Sequence, residues 1–207
     1  MAIIKSGATS DNWTIDPTSK AGRVTQYDTT GRLIALQTKA TYGVSTTPFT
    51  PPATPTDMAT LTGSGSKTIY VYGVTIATTQ TTAGVNRIYL IKRSAANTGG
   101  TSAAPTIVPY DSGSAGATAT ALSYTVNPGA LGAAVGNIAV MNVNSPILAT
   151  GITYGQGCVD MYARTTPFTL DTPIILRGTT QVLAVNFNGA ALPAGLSVIV
   201  NFIWTEE

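Results

Sequence analysis

The chain has 207 residues, enough for one sizeable domain or a domain with an arm. With 43% hydrophobic residues and a net charge of +2, it can bury a core and fits neither a disordered polyion nor a strongly basic nucleic-acid binder. Charged residues make up 10% of the chain, against roughly 25% in an ordinary globular protein. That favours a surface that ends against other subunits over a monomer solvated by Thr, Ser and Asn.

The 21 Gly and 12 Pro supply turns, and the abundant Thr suits pleated strands. Glu occurs only at Glu206 and Glu207, and Lys is sparse, so helix-favouring surface residues are scarce. The expected fold is all-β: an antiparallel sandwich or jelly roll, preceded by an N-terminal arm with a short hairpin.

Residues 1–45 read as a polar docking arm. Within it, residues 24–27 and 32–36 flank the turn Asp28-Thr29-Thr30-Gly31, which predicts a hairpin. Residues 46–66 hold Pro48, Pro51, Pro52 and Pro55 followed by Gly63-Ser64-Gly65, the composition of an extended linker. From 67 to 207 strands recur without helical intervals, which predicts the β-sandwich domain. Residues 68–76 and 86–92 are predicted to form a hairpin about the turn at 80–84. Residues 121–126 alternate, with Leu122, Tyr124 and Val126 on one face. Further strands are predicted at 137–143, 159–164 and 173–177. In 181–187 Leu183, Val185 and Phe187 share a face, and in 197–204 Val198, Val200, Phe202 and Trp204 do. The last of these is expected inside its sheet. Thr46-Thr47-Pro48-Phe49-Thr50 recurs at residues 165–169 with unrelated flanks, so it indicates two similar Pro turns and no duplicated domain.

The chain has no histidine, which removes the commonest general base, nucleophile activator and metal ligand. Its single cysteine, Cys158, sits in the turn-like run Gly155-Gln156-Gly157 without a base to form thiolate, so a structural role is expected. Most of the nine carboxylates lie beside turn residues, where Asp is ordinary, although a glycosidase would need only two. Asp111-Ser112-Gly113-Ser114 lacks the further ligands of a calcium loop. Gly63-Ser64-Gly65-Ser66-Lys67-Thr68 lacks the Gly before Lys of a phosphate-binding loop and precedes a strand. A non-enzymatic protein without cofactor or metal is therefore expected. The basic residues are scattered, with only Lys92 and Arg93 adjacent, and no segment supplies about 20 apolar residues, so neither nucleic acid nor membrane is an expected partner. The start, Met1-Ala2-Ile3-Ile4-Lys5, lacks the apolar run of a signal peptide, which predicts synthesis and assembly in a cytoplasm.

Two sets of residues are candidates for contact with a partner. In the arm these are Trp13, Lys20, Arg23, Val24 and Tyr27. At the loop ends of the sandwich Tyr110, Asp111, Tyr154 and Gln156 could touch a ligand, though tyrosines at a core edge are the commoner case.

The opening Ile4-Lys5-Ser6-Gly7, with Ile15-Asp16-Pro17-Thr18-Ser19-Lys20-Ala21-Gly22-Arg23-Val24-Thr25-Gln26-Tyr27-Asp28, resembles a lead-in of tailed-bacteriophage virion proteins. Gly22 stands where that lead-in carries an apolar residue. Leu90-Ile91-Lys92-Arg93-Ser94-Ala95-Ala96-Asn97-Thr98-Gly99-Gly100-Thr101 and Tyr124-Thr125-Val126-Asn127-Pro128 are also similar to phage structural proteins with a β-rich outer domain. So are Arg177-Gly178-Thr179, Val182-Leu183-Ala184-Val185-Asn186 and the close Ile203-Trp204-Thr205-Glu206. The resemblance implies a virion protein made in the host bacterial cytoplasm: a capsid decoration or cement protein binding the major capsid or another virion protein and its own copies, as a homotrimer. It equally fits a head or tail fibre whose module binds a receptor or carbohydrate.

Overall fold

The structure, a computed structural model, describes residues 39–145, 147, 157–163 and 173–207, together with two short strands near the N-terminus. The chain divides into two compact units, Met1–Lys39 and Ala40–Glu207. In the first, β1 (Trp13–Ile15) pairs antiparallel with β2 (Gly22–Val24), with Trp13 opposite Val24. The predicted hairpin at 24–36 lies outside the described residues apart from Val24, as does the second copy of the Thr-Thr-Pro-Phe-Thr repeat.

The second unit is all-β, with two antiparallel sheets packed face to face. One sheet runs β10 (Ala134–Asn144), β6 (Val85–Arg93), β13 (Val182–Asn186), β4 (Asp57–Thr62), β9 (Thr120–Val126) and β7 (Thr101–Ala103). The other runs β11 (Gly157–Ala163), β5 (Ile69–Thr79), β14 (Ser197–Glu206), β3 (Thr41–Ser45) and β8 (Ile107–Pro109), with β12 (Ile174–Leu176) also paired to β5. The inward side of β14 is Val198, Val200, Phe202 and Trp204, all buried, as the alternation predicts. Leu183, Val185 and Phe187 face them from the other sheet and are buried too. β14 lies between β5 and β3, inside its sheet.

The proline-rich stretch is no spacer. β3 lies between β14 and β8, and β4 lies between β13 and β9, so both belong to the sandwich. The docking-arm and linker boundaries at 45 and 66 move accordingly to a single junction after Lys39. Four prolines do bar a helix here, but they serve as the crossover that carries the chain from one sheet to the other. That crossover is tied down: Phe49 exchanges two backbone hydrogen bonds with Val198, at 3.1 and 2.9 Å, and its ring joins the core.

The predicted hairpin of residues 68–76 and 86–92 is also corrected. Both strands form, but β5 and β6 belong to opposite sheets. The connection is a corner: the Gln80 side-chain amide donates to the Gly84 carbonyl at 3.0 Å, and the Asn86 amide donates to Gln80 Oε1 at 3.1 Å. In β9 the predicted face breaks. The pairing with β7 slips between Thr101–Val126 and Ser102–Tyr124, which turns Val126 outward at 52% exposure while Ala121 and Tyr124 are buried. One extra residue in a strand inverts every side chain beyond it. Cys158, expected in a turn, lies in β11 opposite Ala77.

Candidate functional site

Sheet register builds one open trough on the outer face of the second sheet. Asn201 of β14 stands opposite Ser45 of β3 on one side and Thr75 of β5 on the other. These three form a polar rung, in which Asn201 Nδ2 donates to Thr75 Oγ1 at 2.8 Å. Two residues along, Ile203 stands between Gly43 and Gly73, and Val108 of β8 lies beyond Gly43. This second rung is apolar, and its glycines leave Ile203 without neighbours of its own height.

Tyr110 walls the trough. Its backbone N–H donates to the Thr41 carbonyl at 2.8 Å, which continues the β8–β3 ladder by one residue. The ring then leans over Gly43: a Cβ there would lie 2.9 Å from Tyr110 Cε1, a contact that side chains do not make. Tyr110 as a whole stays 65% exposed. The hollow has a volume of about 420 Å³, and among the described residues no charged one lines it.

Of the predicted loop-end residues, Tyr110 and Asp111 stand together at the end of β8. Asp111 Oδ1 accepts the Gly113 N–H at 2.9 Å, the turn role that Asp ordinarily plays. Tyr154 and Gln156 lie outside the described residues. In the arm, Trp13 and Val24 are paired across β1 and β2 and Arg23 stands opposite Thr14, while Lys20 and Tyr27 lie outside the described residues. Sequence reasoning missed Gly43, Ser45, Thr75, Asn201 and Ile203. Its one usable signal was Asn201, a polar residue on the outward phase of a long apolar strand.

A second surface feature is the edge strand β10. Among the described residues it pairs with β6 on one side only. Its eleven residues carry no charge, and Val135, Ile138 and Val140 are exposed.

Among the described residues two carboxylates are buried, one in each sheet, and both are fully engaged. Asp57 in β4 accepts from Arg93 Nε and Nη2 at 2.6 and 2.7 Å, and from the amides of Asn97 and Asn186 at 2.8 and 2.6 Å. Arg93 Nη1 donates to the Gly132 carbonyl at 2.7 Å. A side chain at Gly132 would collide with the Ala95 carbonyl, so only glycine brings that acceptor so close. Glu206 in β14 accepts from the Thr118 N–H and hydroxyl, the Ala119 N–H and Trp204 Nε1, all within 3.0 Å, with Lys67 Nζ at 3.9 Å. Burial pushes its pKa up, but the hydrogen bonds from Trp204, Thr118 and Ala119 outweigh this and hold it below the ordinary value. Such carboxylates have no lone pair directed at a substrate; they fasten strands to loops. A third polar cluster joins Thr78, Ser145 and Asn86, with a Thr78–Ser145 hydroxyl contact of 2.6 Å. Among the described residues no group of three His, Cys, Asp or Glu is brought together where it could hold a metal ion. No helix among them is long and apolar enough to cross a membrane.

No protein-family model, curated protein or solved structure matches this chain.

Proposed function

We propose that the chain is a non-enzymatic structural protein of a tailed-bacteriophage virion, a capsid-associated decoration or cement protein that binds shell protein and its own copies as a trimer. The observation that carries this reading is β10. Solvent-facing edge strands are ordinarily blunted by Lys, Pro, bulges or short length, because their open N–H and C=O groups template pairing. Here an eleven-residue edge is uncharged: it is irregular at Val135 and Ile138 but pairs in unbroken register from Ala139 to Asn144, and Val135, Ile138 and Val140 are exposed. A partner strand added there would gain main-chain hydrogen bonds and cover those side chains together. The low charge of the whole chain suits a protein that spends its surface on neighbours. The virion assignment is supported by the likeness of residues 4–28 and of the later segments to phage structural proteins.

Two measurements test the proposal. Antibody against the chain should label purified particles at regular sites in negative stain, and light scattering of the isolated chain should give a discrete oligomer. Unlabelled particles together with a monomer at high concentration would overturn it.

A further inference from the structure

We propose that the trough beside Tyr110 is a binding site for a neutral carbohydrate. The inference does not depend on the virion reading; it rests on the outer face of the second sheet alone.

A sugar ring has an apolar face of C–H groups and a rim of hydroxyls, and the trough offers the matching halves side by side. The apolar rung of Val108, Gly43, Ile203 and Gly73 supplies a floor, and the exposed Tyr110 ring supplies an aromatic wall. The polar rung of Ser45, Asn201 and Thr75 lies two residues along the same strands, about 6.5–7 Å away. Asn201 spends one N–H on Thr75, which fixes the amide and leaves its other N–H and its carbonyl oxygen for a ligand. Thr75 accepts that bond and retains its own hydroxyl proton to donate. The hollow is shallow and open, so a ligand seated there keeps one face in solvent.

Other ligand classes fit less well. A phosphorylated or carboxylated ligand would find no cation among the described residues of the lining. An acyl chain would cover the second N–H and the carbonyl oxygen of Asn201 and the Thr75 hydroxyl proton without pairing them, which costs binding energy. An extended peptide adds to a sheet edge, whereas this trough lies on a sheet face. Glycine at 43 is what opens the floor: any side chain there would strike the Tyr110 ring.

The test uses the full chain on an array of neutral hexose and N-acetylhexosamine oligosaccharides, with sialylated and sulfated glycans alongside. The best neutral probe is then titrated by NMR. At least one neutral oligosaccharide should bind, with shifts at Tyr110, Asn201 and Thr75. Tyr110→Ala should weaken it about tenfold or more, and because Tyr110 is mostly exposed, thermal unfolding should be unchanged. Asn201→Ala should weaken it as well. Retention of charged glycans only, or of none, overturns the proposal. So does neutral binding that survives Tyr110→Ala. If Tyr110→Ala dissolves an oligomer and no glycan binds, the trough is a protein contact and the proposal fails.

Discussion

The Arg93 guanidinium holds the Asp57 carboxylate through two parallel hydrogen bonds of 2.6 and 2.7 Å, and both side chains are buried. The pair links β6 to β4 across the intervening β13, whose Asn186 donates to the same carboxylate. Arg93→Met should therefore destabilise the fold by roughly 3–5 kcal/mol, because it strands a buried charge. Urea unfolding of the variant measures this. A loss under about 1 kcal/mol would mean that Asp57 finds other compensation.

Glu206 predicts an acid-sensitive fold. Its carboxyl is held below the ordinary value of 4.5, so the unfolded chain takes up its proton first as pH falls. The stabilisation is fully present above that unfolded value and is lost as pH drops through the folded one. Glu206→Gln should cost about 1–3 kcal/mol at pH 7, where hydrogen bonds to a charged acceptor are lost. Its melting temperature should also fall less steeply than that of the wild type between pH 5 and pH 3. Parallel acid limbs in both proteins would rule Glu206 out.

The inward row of β14 gives a packing prediction. Phe202 is 1% exposed, and Phe202→Ala should cost about 3–5 kcal/mol by chemical denaturation.

At the edge strand, Val140 is half exposed, so Val140→Lys should change stability by no more than about 0.5 kcal/mol. The same substitution should abolish assembly, because a lysine blocks strand addition. Light scattering reads the assembly, and an unchanged oligomer would move the contact away from β10.

Truncation separates the two units. A chain of residues 40–207 should give a β-type circular dichroism spectrum and one cooperative unfolding transition, since that unit contains both sheets. Cutting six residues later removes β3, which pairs with β14 from Thr41 to Ser45 and stacks Tyr42 on Trp204 at 5.8 Å. The shorter chain should unfold at markedly lower denaturant or not fold. On the proposed function, the 40–207 chain should also fail to join particles if residues 1–39 are the anchor.

Where a strand keeps strict alternation, its residues betrayed their positions. Val198, Val200, Phe202 and Trp204 could be assigned to the core directly, as could Leu183, Val185 and Phe187. The β9 reading failed at the irregularity opposite β7, because a one-residue slip leaves composition untouched while inverting the face. β4 was hidden because Met58, Ala59, Thr60 and Leu61 are all buried and so show no alternation, and because prolines crowd the residues before it. The trough was illegible for a different reason. Gly43, Thr75 and Asn201 become neighbours only through the register of three strands far apart in the chain, and no local pattern records that register. Tyr110 was legible as an exposed loop-end aromatic, but the glycine beneath it was not.

The position of β14 between β5 and β3 also governs how the protein is born. β5 ends at Thr79 and β14 begins at Ser197, so half of the sandwich stays open while the intervening chain is translated. At about 5–20 residues per second, that interval lasts on the order of ten seconds. Through it the inward faces of β3 and β5 have no strand between them to complete their sheet, and such long-range pairing is intrinsically slow. The yield of folded chain in a heterologous host should therefore respond to chaperone abundance more than to growth temperature alone.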